Sequence, residues 1–314
     1  MRKFICTVLI IITACILSSC NDTKRITRQS FAFDTIVSIT ADKSSEETVE
    51  NALSMCGDFE NIFSRNNPSS ELYRINNGEI TSFSPDMQSV LDFSFRFSEI
   101  SQGAFDITVA PLCDVWNIKE RTSPPSENEI LEALSRTGYK KVTLSPFNIK
   151  DAEIDLGAVA KGYIADRLVN YFKENGEEDI IIDLGGNVAL MGEFTVGIRN
   201  PFSPEKLFAK ITVKDKSAVT SGAYQRYFEY DGKRYHHIID PRTGQCADSG
   251  IASVTVVSPC SMYADALSTA IYVSGEKGLE LCSNFPDTDA IIITNDGQVI
   301  TTDGFKEKYN LQLK

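Results

Sequence analysis

Histidine is scarce: the 314 residues contain two, the adjacent pair His236 and His237. A multi-histidine zinc site or an HExxH protease cannot be built from them, and if a histidine does chemistry it is one of this pair. Basic charge is also short, with Lys plus Arg at 31 against Asp plus Glu at 43 and a formal charge of -12. No basic stripe offsets the deficit, and phosphate neutralisation is the main source of nucleic-acid affinity, so a nucleic-acid partner is not expected. Neither GxGxxG nor GxxxxGK[ST] occurs, which removes the Rossmann and P-loop readings. No proline-rich or low-complexity linker divides the mature chain, which favours one large domain over two. What is present, 42% apolar, 24% charged and 10% aromatic residues, suits a globular chain with a sizeable core.

The apolar run from Phe4 to Leu17 is too short to cross a hydrocarbon core and has the flanks of a secretory signal, Arg2-Lys3 before it and Leu17-Ser18-Ser19-Cys20 at its end. The Leu-Ser-Ser-Cys ending resembles a bacterial lipobox. It implies a signal peptide over 1–19, lipidation of Cys20, a tether over 20–29 and a domain over 30–314. The expected location is the cell membrane, lipid-anchored, on the extracytoplasmic, periplasmic side. Five cysteines remain in the domain, Cys56, Cys113, Cys246, Cys260 and Cys282. An odd set without CxxC is neither a metal ribbon nor a redox motif; most read as small buried apolar residues, with one disulfide left open.

Periodicity gives an α+β reading. FAFDTIVSIT (31–40) alternates as a strand, and Ser44 to Glu47 reads as a capping box before a helix with Val49, Leu53, Cys56, Phe59 and Phe63 at helical spacing. Further helices are expected from Ser84-Pro85 to near Gly103, from Ser126 to Gly138 and from Val159 to Lys173, with short strands around 141–155 between the last two. From residue 179 β-rich segments dominate: 179–185, 194–198, 207–213 and a hairpin closed by Asp231-Gly232. A strand over 251–257, a helix over 262–273, another short helix and a hairpin turning at Asp296-Gly297 complete the chain.

Four clusters could carry chemistry. Asp265 and Thr269 lie four apart on a helix, so a carboxylate and a hydroxyl share one face as hard donors suited to Mg²⁺; dipole stabilisation and a backbone-bonded threonine would explain them equally well. IDLGAVAKGY (154–163) brings a strand to a helix through a glycine turn, where Asp155, Lys161 and free backbone groups suit a phosphate and its metal, or merely make the turn. In RYHHIIDPRTGQ (234–245) strand alternation prevents both histidines from facing one site, and a near-neutral histidine beside an aspartate is the usual chemistry for deprotonating a hydroxyl. Asp106, amid the apolar residues of QGAFDITVAPL (102–112), needs a buried partner, for which a ligand donor or a backbone amide would serve. DLGGN (183–187) reads as a structural glycine turn.

Together these strings resemble the FAD:protein FMN transferase family, the ApbE-like lipoproteins: FDT (33–35), SELYRIN (70–76), GAFDITVAP (103–111), IDLGAVAKGY (154–163), DLGGN (183–187), HHIIDPRTG (236–244) and ADALSTA (264–270), in the family's order. Phe33-Asp34 stands where the family often has Met-Gly. The resemblance implies an α+β domain of T-fold-like architecture, antiparallel sheets flanked by helices, with FAD in a cleft. It implies Mg²⁺-dependent cleavage of FAD, passage of FMN to a threonine of an acceptor protein, and release of AMP. Asp265, Thr269 and the Ala158 carbonyl would hold Mg²⁺, and His237 would be the base. The flavin nucleotide would lie against Phe33, Ala104, Phe105, Asp106, Asp155, Lys161 and Ile239. The family suggests acceptors among subunits of sodium-pumping or Rnf-type redox complexes. The same site could pass FMN to water, giving a hydrolase, or bind flavin without turnover.

Overall fold

Period-two burial organises the molecule. In the strand Asp289–Thr294, Ala290 and Ile292 enter one buried cluster while Ile291 and Ile293 enter another on the opposite face. Both faces of the sheet are therefore covered, and a strand covered on both faces reads as a continuous apolar run. The computed structural model describes residues 25–314. The signal-like run, Cys20 and the first part of the tether lie outside them.

The chain begins with β1 (Arg25–Ala32) and β2 (Thr35–Asp42), then α1 (Glu46–Phe63), α2 (Glu71–Asn76), α3 (Pro85–Ile100), α4 (Ala110–Trp116) and α5 (Glu127–Arg136). A small hairpin of β3 (Thr143–Leu144) and β4 (Phe147–Asn148) leads to α6 (Ala160–Glu174). Then follow β5 (Ile180–Leu184), β6 (Asn187–Met191), β7 (Glu193–Asn200), β8 (Ser203–Lys214), β9 (Ser217–Gly222), β10 (Tyr227–Tyr230) and β11 (Lys233–His236). The last part holds β12 (Ile251–Ser258), α7 (Ser261–Ser274), a 3-10 stretch (Glu276–Asn284), β13 (Asp289–Thr294), β14 (Val299–Thr301), α8 (Phe305–Lys308) and β15 (Gln312–Leu313).

Eight strands form one antiparallel sheet in the order β1-β2-β5-β6-β9-β12-β13-β14. One face packs α1, α6 and α7 through Val49, Ala52, Leu168, Leu267 and Ile271. The other packs the three-stranded sheet β15-β8-β7 through Ile198, Ile211 and Val213. A third cluster joins α4 and α5 to the β10–β11 hairpin, with Trp116 stacked on Tyr235 at 5.6 Å. The expected α+β domain of antiparallel sheets flanked by helices is what forms. Among the described residues no helix is long and apolar enough to cross a membrane.

Several boundaries differ from the sequence reading. FAFDTIVSIT is not one strand: Phe33 and Asp34 both take positive φ, 55° and 59°, and turn β1 into β2. Two successive left-handed residues give the hairpin turn whose twist matches the strands, and the alternation runs on through it, so periodicity does not reveal the break. β1 also starts at Arg25, so residues 25–29 of the expected tether are sheet, tied by Thr27 Oγ1 to Thr40 Oγ1 at 2.9 Å. No box forms at Ser44: Asp42 Oδ1 accepts from the Ser44 N–H at 2.9 Å and caps a 3-10 turn (Lys43–Ser45) that leads into α1, whose own N-cap, Ser45, makes no side-chain cap bond. Helices α2 and α4 escape periodicity because each spans two turns or fewer. The five cysteines are free thiols; burial pushes Cys56 and Cys246 up to about 11, so they stay protonated.

Helices α6 and α7 cross at close range at Gly162. A Cβ on Gly162 would stand 2.5 Å from the Ser261 carbonyl oxygen and 2.7 Å from the Met262 Cα, so the backbones meet there without side chains between them. We expect Gly162→Ala to destabilise the fold by about 1–3 kcal/mol in urea denaturation, because main chain cannot yield as a side chain would. Gly57→Ala on the exposed side of α1, where a Cβ meets nothing within 4 Å, should stabilise by about 0.5–1 kcal/mol.

Candidate active site

The α6–α7 crossing also caps the start of α6. The Gly162 N–H, one of the first-turn donors that a helix leaves without an internal acceptor, donates to Asp265 Oδ2 at 2.9 Å. Among the described residues no donor reaches the Ala158 carbonyl or Asp265 Oδ1. Asp265 is 5% exposed, so its second carboxylate oxygen is left without a donor in a largely buried position. One turn along α7, Thr269 Oγ1 lies 3.4 Å from Ser221 Oγ of β9, and Ser221 Oγ lies 2.8 Å from Ser268 Oγ. The Ser268 hydroxyl in turn donates to the Asp265 carbonyl at 2.8 Å, which holds the α7 face in register.

This donor set fits Mg²⁺. The ion takes hard oxygen ligands and is usually bound by one or two carboxylates together with substrate phosphates, not by an all-protein cage. Among the described residues no group of three His, Cys, Asp or Glu converges as such a cage would require. One carboxylate, one hydroxyl and one uncommitted carbonyl are what remain.

The loop before α6 is braced from behind. Asp155 Oδ1 accepts from the Gly157 N–H at 2.7 Å and Oδ2 pairs with Arg65 Nε at 3.0 Å. Arg65 also pairs with Asp114 and Glu153, so the loop is fastened to α4 and to the end of α1. Neither Arg65 nor Ser221 was singled out by the sequence, since each acts across a tertiary contact. Lys161 Nζ donates to the Gly157 carbonyl at 3.0 Å and stands over the same loop.

The histidines divide cleanly. His236 is 6% exposed, and its Nε2 donates to the Ala247 carbonyl at 3.1 Å while its Nδ1 accepts from the Ile238 N–H at 3.3 Å. Both ring nitrogens are occupied, and the ring packs edge-on against Tyr272. His237 is half-buried, and its Nδ1 contacts the Arg226 carbonyl at 3.3 Å. A carbonyl only accepts, so the proton sits on Nδ1 and the Nε2 lone pair is free. Burial pushes the His237 pKa down to about 4, helped by the charges of Arg226 and Lys161. The Asp–His pair anticipated in the DPRTG turn does not form: Asp240 holds Arg242 instead, at 2.8 Å, because a guanidinium two residues on can close a bidentate contact.

The residues expected against the flavin fall into two groups. Phe33, Asp155 and Lys161 are partly exposed around the cleft, with the Phe33 N–H held by Glu60 Oε1 at 2.8 Å. Ala104 and Phe105 are buried in the core, Phe105 packing on Phe97, so their side chains support the site from beneath. Asp106 finds its partners within the chain: the Thr108 N–H and hydroxyl at 2.8 and 2.7 Å, and the Tyr139 N–H at 2.7 Å. Burial still raises its pKa against those three donors. The Ile239 side chain belongs to the cluster with Leu112 and Trp116. In DLGGN, Asp183 Oδ1 accepts from the Gly185 and Gly186 N–H groups at 2.9 and 3.0 Å, a closed turn as expected. Two cavities, of about 450 and 560 Å³, lie away from this cluster; His236 lines the first.

His237 therefore carries a testable signature. In an NMR titration the two imidazoles should separate, with the His237 midpoint near pH 4, well below the usual 6.5. A midpoint at or above 6.5 would contradict the burial described for it.

The ApbE family model matches residues 33–292. Among curated relatives, an FAD:protein FMN transferase of Klebsiella pneumoniae (strain 342) is 39% identical over 212 residues, 65% of this chain and 67% of the relative. One from Treponema pallidum (strain Nichols) is 36% identical over 250 residues, 71% and 69%. The solved ApbE protein of Thermotoga maritima aligns with a TM-score of 0.81 at 30% identity, covering 90% of this chain and 98% of that one. The flavin transferase ApbE from Vibrio cholerae aligns at 0.81 and 25%, covering 91% and 99%. Sequence motifs in order, the same architecture and a matched span that contains every donor of the cleft agree on one conclusion: the chain belongs to the ApbE family.

Proposed function

We propose that this protein is an Mg²⁺-dependent FAD:protein FMN transferase that passes FMN from FAD to a threonine hydroxyl of an acceptor protein and releases AMP. The observation that carries the reading is the buried Asp265 carboxylate held by the Gly162 N–H at the start of α6, with one carboxylate oxygen and the Ala158 carbonyl one turn earlier left without donors among the described residues. Ala158, Asp265 and Thr269 would hold the ion, which when bound supplies charge neutralisation to a diphosphate. Phe33, Asp155 and Lys161 would position FAD at the cleft surface, with Ala104, Phe105, Asp106 and Ile239 shaping it from behind.

His237 Nε2 takes the proton from the threonine hydroxyl. The threonine Oγ–P bond to FMN forms while the P–O bond to AMP breaks, and its electron pair leaves on the AMP phosphate. A base already neutral above about pH 4 needs no deprotonation of its own near neutrality. The chain's role is mainly positioning and electrostatics, as phosphoryl transfer demands.

The lipobox-like end of the first twenty residues supports anchoring through Cys20 and an extracytoplasmic, periplasmic setting, where flavinylated subunits of sodium-pumping or Rnf-type redox complexes would be the acceptors.

The test uses the protein lacking residues 1–20, with FAD, Mg²⁺ and an acceptor domain bearing a threonine flavinylation motif, read by mass spectrometry. FMN on the acceptor with stoichiometric AMP supports transfer. Free FMN and AMP regardless of acceptor would make water the acceptor, and intact bound FAD would end the enzyme reading. Asp265→Ala should abolish Mg²⁺-dependent turnover. His237→Ala should lower transfer by about 10²–10⁴-fold with FAD binding largely kept. His236→Ala should lower stability instead, and an equal loss of transfer in that variant would move the base to His236.

A further inference from the structure

Arg226 stands at the root of the β10–β11 hairpin, and its backbone carbonyl accepts from both the His237 N–H at 3.2 Å and the His237 Nδ1 at 3.3 Å. Its position relative to the base is therefore fixed by main chain, whatever its side chain does. That side chain is exposed, and among the described residues its guanidinium forms no hydrogen bond and no ion pair. Its charge nonetheless reaches two parts of the cleft: it lowers the pKa of Asp34, in the β1–β2 turn, and that of His237. Asp34 is already satisfied by Lys119 at 2.6 Å, so it does not claim the guanidinium. The charge of Lys161, on α6, lowers the His237 pKa in the same direction, with His236 the other titratable group acting on it.

We infer that Arg226 is a catalytic residue that binds the FAD diphosphate beside His237 and neutralises the charge building on the AMP leaving group. The inference rests on the transferase reading above. A planar guanidinium presents paired donors that match phosphate oxygens, which makes it suited to a diphosphate held between the base and the open oxygens of Ala158 and Asp265. Lys161 would face the same group as a point charge. As the Oγ–P bond forms and the P–O bond to AMP breaks, the electron pair moves onto an oxygen within reach of these cations, while the proton goes to His237 Nε2. One residue thus serves the base through its carbonyl and the substrate through its side chain, and substitution separates the two roles because the carbonyl remains.

The test compares Arg226→Ala and Arg226→Lys with the wild-type protein lacking residues 1–20, at constant Mg²⁺. Arg226→Ala should weaken binding of ADP and of FAD by about 10–100-fold, the range for losing charge-assisted hydrogen bonds. Adenosine and riboflavin, which lack the diphosphate, should bind as before, and Arg226→Lys should recover part of the loss. In Arg226→Ala the acid limb of kcat/KM should also move up from about 4 toward the usual histidine range. Unchanged ADP affinity overturns the inference, as does an effect confined to the KM for the acceptor protein, which would assign the guanidinium to the acceptor. Arg226-dependent ADP binding in a wild-type protein that cleaves no FAD would instead sink the transferase reading and leave the contact standing.

Discussion

The hydrogen bond from the Gly162 N–H to Asp265 Oδ2 is the constraint on which the site depends. It forms because α6 and α7 meet backbone to backbone, an approach that a Cβ at position 162 would block. A helix leaves its first N–H groups without internal acceptors. Here Asp265 takes one of them, so one of its oxygens is fixed and the other is free, while the Ala158 carbonyl, ahead of the helix, accepts from no donor among the described residues. The same crossing sets the rotation of α7, which brings Thr269 to Ser221 one turn later. Small residues at a helix contact therefore determine where hard oxygen donors stand, and the packing of the core and the chemistry of the cleft are one arrangement.

The two histidines show how equal residues acquire unequal roles. β11 ends at His236 and leaves His237 beyond the strand, and an inventory of ring nitrogens then assigns them: both are used in His236, one in His237. Holding His237 neutral has a thermodynamic consequence whose sign follows from its pKa. Its folded-state value, about 4, lies below the ordinary 6.5, so between those values the unfolded chain binds more protons than the folded one. Stability from this group is fully present above about pH 6.5 and is lost as pH falls toward 4. His236, lowered in the same direction by burial, adds to that trend. A histidine kept neutral near pH 7 is thus linked to acid sensitivity of the fold.

Much of this was legible before any coordinates. Long periodic elements such as α3 and α6, and the turns at Asp231-Gly232 and Asp296-Gly297, lie where spacing and turn chemistry put them. The Phe33-Asp34 turn was not legible, because non-glycine residues at positive φ leave no compositional mark. Nor was the partner of Asp106: sequence shows that a buried carboxylate needs donors, but not that Thr108 and Tyr139 supply them. The site residues were visible as motif members, while Arg65, Ser221 and Arg226 were not. Their contributions are made across distant segments, and only the fold creates those neighbours.

Charge operates at two ranges in this molecule. The chain as a whole carries -12, yet the charges of Lys161 and Arg226 both lower the His237 pKa, and Asp34 on the β1–β2 turn is matched by Lys119. A carbonyl contact such as that of Lys161 to Gly157 orients a cation without cancelling its charge. At ordinary ionic strength the field of exposed charges decays over about 10 Å, so the acidic surface at large contributes little inside the cleft. An anionic nucleotide is therefore governed by the few cations that touch the site, while the distributed negative charge bears on how other proteins approach. A diphosphate can be attracted locally by a protein whose net charge would repel it, provided that the cations are held within one screening length of the reacting atoms. Lys161 at the α6 start and Arg226 at the hairpin root are the two cations proposed for those positions.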